Sequence, residues 1–173
     1  MAHEDAIARL ARQIDAARKS EPALVSAEDV TALRLRGACE LHEICAEFVA
    51  SLNSKLAGAA VELSPLTYAP EMFHAAGANL IQIGSEGREM QIAFQATPEL
   101  FSTEKFLVPY VLEGEVRTYN QKMLEHFEIR SQLLFFCLNL NEHTAEWRFF
   151  DWRDGRTAVV DRDLLAGLME RLF

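Results

Sequence analysis

The segment Phe127–Leu140, FEIRSQLLFFCLNL, limits the fold more than any other stretch of the chain. Every residue from Leu133 to Leu138 is apolar. An unbroken apolar run of that length marks a central strand covered on both faces. The same residues also fit a helix if those before them are included. Leu124, Phe127, Ser131, Leu134, Phe135 and Leu138 would then share one stripe. Both readings stand for 121–138. The strand is favoured because Glu128–Leu133 begins with alternation and β-rich segments lie on either side.

The remaining segments read as cover for that strand. Ala2 to about Lys19 has Ile7, Leu10, Ala11, Ile14 and Ala17 at helical spacing, and Ser20-Glu21-Pro22 stops it. Ser26 with Asp29 forms a capping box for a second helix, with Glu28 and Asp29 at its positive end. Its stripe runs through Val30, Leu33, Gly37, Leu41, Ile44, Phe48, Leu52 and Leu56, so Ala27–Ala57 would span roughly 45 Å at 1.5 Å per residue. Cys45 and Val49 widen the apolar arc in the second half only. That half is expected to lie on a sheet. The first half is expected to pair with helix one or with a second copy through Gly37, unless Gly37 interrupts the helix.

From Asn79 the period changes to two. Asn79–Gly84 and Glu89–Gln95 form a hairpin, with Met90, Ile92 and Phe94 inward. Lys105–Asn120 reads as a strand bent at Pro109, with Tyr110, Leu112, Gly114 and Val116 on one face and Glu113, Glu115 and Arg117 on the other. Asn120–His126 reads as a helical turn. Glu146–Trp152 and Arg156–Val160 are joined by Asp154-Gly155, a strong hairpin signal. Asp161 caps a last helix carrying Leu164, Leu165, Leu168, Met169 and Leu172.

The sum is one α+β domain over 1–173. It has a helical hairpin over 1–58, an antiparallel meander of about five or six strands over 78–160, and a C-terminal helix over 161–173. The formal charge of −9 argues against a nucleic-acid partner, because the long-range field repels phosphate. Cys39, Cys45 and Cys137 are an odd set with no disulfide framework. The N-terminal MAHEDAIARLARQ has no apolar core of a signal peptide, and no apolar run reaches membrane-span length. The expectation is a cytoplasmic protein without a membrane partner.

Three constellations are candidate sites. Cys39, His42 and Glu43 share a helix face, with Cys45 a turn beyond His42. Thiolate and imidazole there have the chemistry of a zinc site, but the spacing is neither HExxH nor CxxC. The plainer reading is small buried thiols beside a surface histidine, and no metal is assigned. Arg148, Trp152 and Arg156 combine guanidinium and aromatic faces, which suits an anionic or flat ligand. The plainer reading is an aromatic strand whose arginines pair with Asp151 and Asp154. Glu113, Glu115 and Arg117 offer a carboxylate pair about 7 Å apart, or simply a solvated strand face. His74, His126 and His143 fall in loops or turns. There is no Walker A loop, GxGxxG or GxSxG, so no cofactor and no catalytic residue is assigned. Two functions follow. The first is a non-catalytic interaction module, homodimeric through its N-terminal helices, with a protein partner of unknown kind. The alternative is a small-molecule-binding protein or enzyme with a pocket between sheet and helices and Arg148, Trp152 and Arg156 at its mouth.

Overall fold

The computed structural model describes residues 6–20, 26–120 and 130–173; of 17–20 and 130 it describes the backbone only. The expected stop at Glu21-Pro22, the turn over 121–126 and the start of alternation at Glu128 lie outside the described residues. Among the described residues, seven strands form one antiparallel sheet in sequence order: β1 (Glu62–Ser64), β2 (Asn79–Ser85), β3 (Arg88–Ala96), β4 (Tyr110–Asn120), β5 (Arg130–Asn139), β6 (Thr144–Asp151) and β7 (Arg156–Val159). Helices α1 (Ala6–Ser20) and α2 (Ala27–Asn53) precede the sheet, and α3 (Arg162–Glu170) follows it.

The α+β class and the meander are as read from the sequence. The additional strand is β1, which lies between the expected helical hairpin over 1–58 and the meander expected over 78–160. Three residues are too few to show alternation, and their pairing with Gln82, Ile83 and Gly84 is what makes them a strand. At the β2–β3 hairpin, Glu86 and Gly87 both take positive φ, at 50° and 82°, as a two-residue turn of the right twist requires.

β5 lies between β4 and β6 and is apolar on both faces. Leu134, Phe136 and Leu138 enter the main core beneath α2 and α3. Phe135 and Cys137 are buried on the opposite face with Tyr110, against Phe106, Leu133 and Phe150. Tyr110 was expected on the same face as Leu112. It lies on the other face because the register shifts between Tyr110 and Leu112: Tyr110 faces Cys137 while Leu112 faces Phe136. Val111 is the extra residue of a bulge, and one extra residue inverts the alternation. The strand also begins at Tyr110 rather than Lys105, leaving 97–109 as a loop that folds back over the outer face.

α2 begins at the expected capping box. Asp29 N–H donates to Ser26 Oγ at 3.1 Å and Ser26 N–H to Asp29 Oδ2 at 3.0 Å. It ends at Asn53, whose side-chain amide donates to the Val61 carbonyl at 2.9 Å and accepts from its N–H at 2.7 Å. The helix is continuous through Gly37, and its first half also lies on the sheet: Val30, Gly37 and Ala38 are buried, and Leu33 packs on the same core. A Cβ at Gly37 would stand 2.6 Å from Phe136 Cδ1 and 2.9 Å from Leu112 Cδ1. What approaches Gly37 is therefore not the backbone of another helix but the side chains of Phe136 and Leu112 from the sheet. Over the contact, Trp147 Nε1–H donates to the Gly37 carbonyl at 2.7 Å. By contrast, every residue of α1 from Ala6 to Ala16 is exposed, so the helical hairpin expected over 1–58 is not packed along that stretch.

Gly37→Ala and Gly167→Ala make a test of this packing. At Gly167, in α3, an added Cβ meets nothing within 4 Å. We expect Gly37→Ala to lower stability by about 1–3 kcal/mol through overpacking, despite alanine's better helix propensity. Gly167→Ala should raise it by about 0.5–1 kcal/mol. Urea unfolding of both variants checks the two signs.

Candidate functional site

The candidate residues do not assemble into one centre. Cys39 is half-buried on α2, and its thiol pKa is raised by burial and then by the negative charges of Glu43 and Glu71. His42, expected at the surface, is buried. Its Nε2 lies 2.8 Å from the Pro65 carbonyl, so it must carry the proton and donate. Its ring stacks on Tyr68 at 5.5 Å. Burial and the nearby Cys39 push the Tyr68 hydroxyl up to about 12. One ring nitrogen is thus engaged in holding the 65–68 loop on α2. Cys45, the other thiol of the motif, lies within the core with its pKa raised to about 12 by burial. Among the described residues, no three His, Cys, Asp or Glu side chains are grouped to hold a metal ion.

Arg148, Trp152 and Arg156 are divided by the sheet. Arg148 faces Phe135 and Val159 in register and points to the outer face, where it pairs with Glu146 at 2.7 Å. Arg156 faces Asp151 in register and lies over the Phe149 ring, 5.5 Å from its centroid, on the side of α2 and α3. Trp152 stands in the β6–β7 turn with Arg153 over its ring at 5.5 Å. Asp151 Oδ1 and Asp154 Oδ1 accept the backbone N–H groups of Arg153 and Arg156, at 3.1 and 2.8 Å, and so shape the turn. The centre of the space between sheet and helices, where a pocket was expected, is filled by Trp147, Phe94, Phe136 and Phe149, while at its edge a depression of about 510 Å³ lies between β7 and α3 and is lined by Arg156, Ala158, Asp163, Leu164 and Arg171.

A second depression, of about 260 Å³, lies on the outer face. Its floor is Ala93, Leu133 and Phe135, and its walls include Gln95, Lys105, Glu113 and Glu115. Lys105 Nζ donates to both oxygens of Glu113, at 3.1 and 3.0 Å, and Gln95 Nε2 donates to Glu113 Oε1 at 3.2 Å. Glu115 accepts from Arg117 at 2.7 Å. The two carboxylates are therefore each matched by a cation. The hydrogen bond to Glu113 raises the Lys105 pKa.

Two features went unnoticed in the sequence. The first is Arg34. Its Nη2 donates to the carbonyls of Thr97 (3.0 Å), Glu99 (2.6 Å) and Leu100 (3.3 Å) and to Thr97 Oγ1 (3.0 Å). Its Nε donates to the Val111 carbonyl at 3.2 Å. This guanidinium fastens the base of the 97–109 loop to α2. At the far end, Phe106 stacks on Phe135 at 5.1 Å, and Lys105 N–H donates to the Tyr110 hydroxyl at 3.1 Å. The only hint of this role in the sequence was a long basic side chain one turn after Val30, beside the buried stripe.

The second feature is exposed apolar surface. On α1, Ile7, Leu10 and Ile14 are 74%, 55% and 45% exposed. On the pinned loop and the β5–β6 turn, Leu100, Phe101, Leu107, Val108 and Leu140 are exposed. A groove of about 530 Å³ runs between Val108-Pro109 and Leu138–Leu140, bordered by Glu142 and Glu146. No helix among the described residues is long and apolar enough to cross a membrane. The chain matches no protein-family model, no curated protein and no solved structure at a significant level.

Two measurements follow. Arg34→Met removes the guanidinium donors that fasten the base of the loop. We expect it to speed exchange of the paired Ser102 and Tyr110 amides about tenfold or more, the equivalent of ~1.4 kcal/mol of lost local stability. The Ile92 amide should move far less. Separately, Cys45 and Cys137 have thiol pKa values raised from 9.0 to about 12, chiefly by burial. The unfolded chain therefore loses these protons first. Stability should be unaffected by them below pH 9.0 and fall as pH rises from there toward about 12. Alkylation of the native protein at pH 8 should spare both thiols, and Cys45→Ala should flatten the alkaline fall in melting temperature.

Proposed function

We propose that this chain is a non-catalytic cytoplasmic interaction module that works as a homodimer through its N-terminal helix. One observation carries the reading. α1 keeps Leu10 and Ile14 exposed on an alanine-rich helix, while the sheet buries its main core under α2 and α3. An isolated helix of this length is marginal in water, so tertiary or quaternary contact is its ordinary source of stability. The three free cysteines suit a reducing compartment, and the acidic sequence suits a protein rather than a nucleic-acid partner.

Native mass spectrometry of the full chain at tens of micromolar tests this. A dimer is expected, and Leu10→Glu should shift it to monomer. A wild-type monomer at that concentration would overturn the proposal.

The outer-face depression supports a second reading, a small-molecule-binding protein. Its apolar floor at Leu133 and Phe135 beneath the Lys105–Glu113 pair has the mix of apolar wall and few polar groups that ligand sites use. A stoichiometric small-molecule adduct in the same spectra, lost in Leu133→Glu, would favour it.

A further inference from the structure

We propose that the groove between β7 and α3 receives an extended segment of a partner protein, which joins β7 as a further antiparallel strand and carries a basic, an apolar and an acidic side chain at alternate positions. This rests on the interaction-module reading above and gives the chemistry of its protein partner.

The backbone at this edge is suited to a strand. Among the described residues, β7 has β6 on one side and no strand on the other. Val160 N–H donates to the Trp147 carbonyl at 2.9 Å. Facing pairs of an antiparallel ladder are bonded alternately, so Ala158, opposite Phe149, and Arg156, opposite Asp151, also bond toward β6. The N–H and C=O groups of Thr157 and Val159 therefore point away from the sheet, where no described residue meets them. An added extended chain is what satisfies such an edge. The opposite edge offers less, since β1 has three residues and runs into Pro65.

The lining sets the side chains. α3 runs back along β7: Asp163 to Arg171 rises roughly 12 Å, close to the roughly 13 Å from Arg156 to Val160. One end of the groove therefore has Arg156 and Arg171, the other has Asp161 and Asp163, and Ala158, Leu164 and Leu168 lie between. These four charged residues are all that the lining contains, so the groove is neutral but polarised; Arg162 and Glu170 of α3 lie outside it. Among the described residues neither arginine pairs with a carboxylate, and Arg156 rests over the Phe149 ring. One oxygen of Asp161 takes Leu164 N–H, which leaves Asp163 as the open acid. Residues facing each other across two strands share a side of the sheet, so a residue opposite Ala158 points into the groove. There is room for it, since a Cβ added at Gly167 meets nothing within 4 Å. Read from its N-terminus, the incoming strand then has a base beside Asp163, an apolar side chain opposite Ala158 and an acid opposite Arg156, each separated by one residue that faces outward.

The probe is the peptide acetyl-Thr-Lys-Thr-Leu-Thr-Glu-Thr-amide, titrated to millimolar concentration into the full chain and followed by amide shifts and hydrogen exchange. Binding should slow exchange at Thr157 and Val159 and leave Ala158, already bonded to β6, little changed. The same peptide with Lys and Glu exchanged should bind about tenfold more weakly. Gly167→Leu, which fills the groove, should also weaken binding about tenfold, and melting no lower than wild type shows that it folds. Leu10→Glu should bind the peptide as wild type does. A chain that proves monomeric yet takes the peptide therefore loses the dimer reading and keeps this one. Unchanged Thr157 and Val159 amides at millimolar peptide overturn the proposal. Equal binding of the two peptides overturns the assignment of the groove ends. Protection of Thr157 and Val159 that grows with protein concentration in the absence of peptide overturns the partner strand in favour of a second copy on the same edge.

Discussion

The hydrogen bond from the Trp147 indole to the Gly37 carbonyl, 2.7 Å long, sets the distance between α2 and the sheet. It exists only because Gly37 has no side chain where Phe136 and Leu112 press against the helix. Trp147 is also held by its neighbours: Phe94 meets its ring edge-on at 5.8 Å, and Phe136 lies at 5.4 Å. Its backbone carbonyl accepts Val160 N–H at 2.9 Å, just before the chain turns into α3. One residue thus fixes the helix height, the centre of the core and the approach of the last helix. Interiors are close-packed, so a helix lifted by a methyl group would strand a buried indole N–H with no water at hand.

The two faces of the sheet are covered by different means. Under α2 and α3, aliphatic and aromatic side chains from all seven strands meet two helices in one continuous core. On the outer face, cover is local: the 97–109 loop places Phe106 over Phe135 and Phe150, and the rest is polar side chains with a shallow depression. An antiparallel sheet tolerates this, since its second face can be solvated. The bulge at Val111 links the two arrangements. By inverting the alternation it sends Tyr110 outward to support the loop while Leu112 stays inward against Gly37.

Much of the fold was legible because its signals are local. The capping box at Ser26, the alternation of β3, the double-faced run in β5 and the Asp161 cap each needed only a few neighbouring residues. What was not legible depends on distant partners. β1 is a strand only by pairing with β2. The face of Tyr110 depends on a bulge of which only a bend at Pro109 could be read, not the inversion of alternation that follows it. The approach at Gly37 was visible, but not the identity of what approaches. Of the site candidates, alternation along β6 puts Arg148, with Phe150, opposite Trp147 and Phe149, and the register agrees. It could not show that Arg156, across a hairpin, returns to the other face. Arg34 was missed because its acceptors are mainly backbone carbonyls more than sixty positions away, and carbonyls leave no mark in a sequence.

That property of Arg34 has a consequence for how the loop can change. Four of its five acceptors are main-chain oxygens; Thr97 Oγ1 is the exception. The anchor therefore recognises the course of the chain and is nearly indifferent to what side chains the chain carries. Leu100, Phe101, Leu107 and Val108 can be exchanged for other residues while the loop stays fastened at its base. A surface that can vary its chemistry without losing its shape is a natural place for specificity to drift, and a ready position for grafting a new recognition sequence.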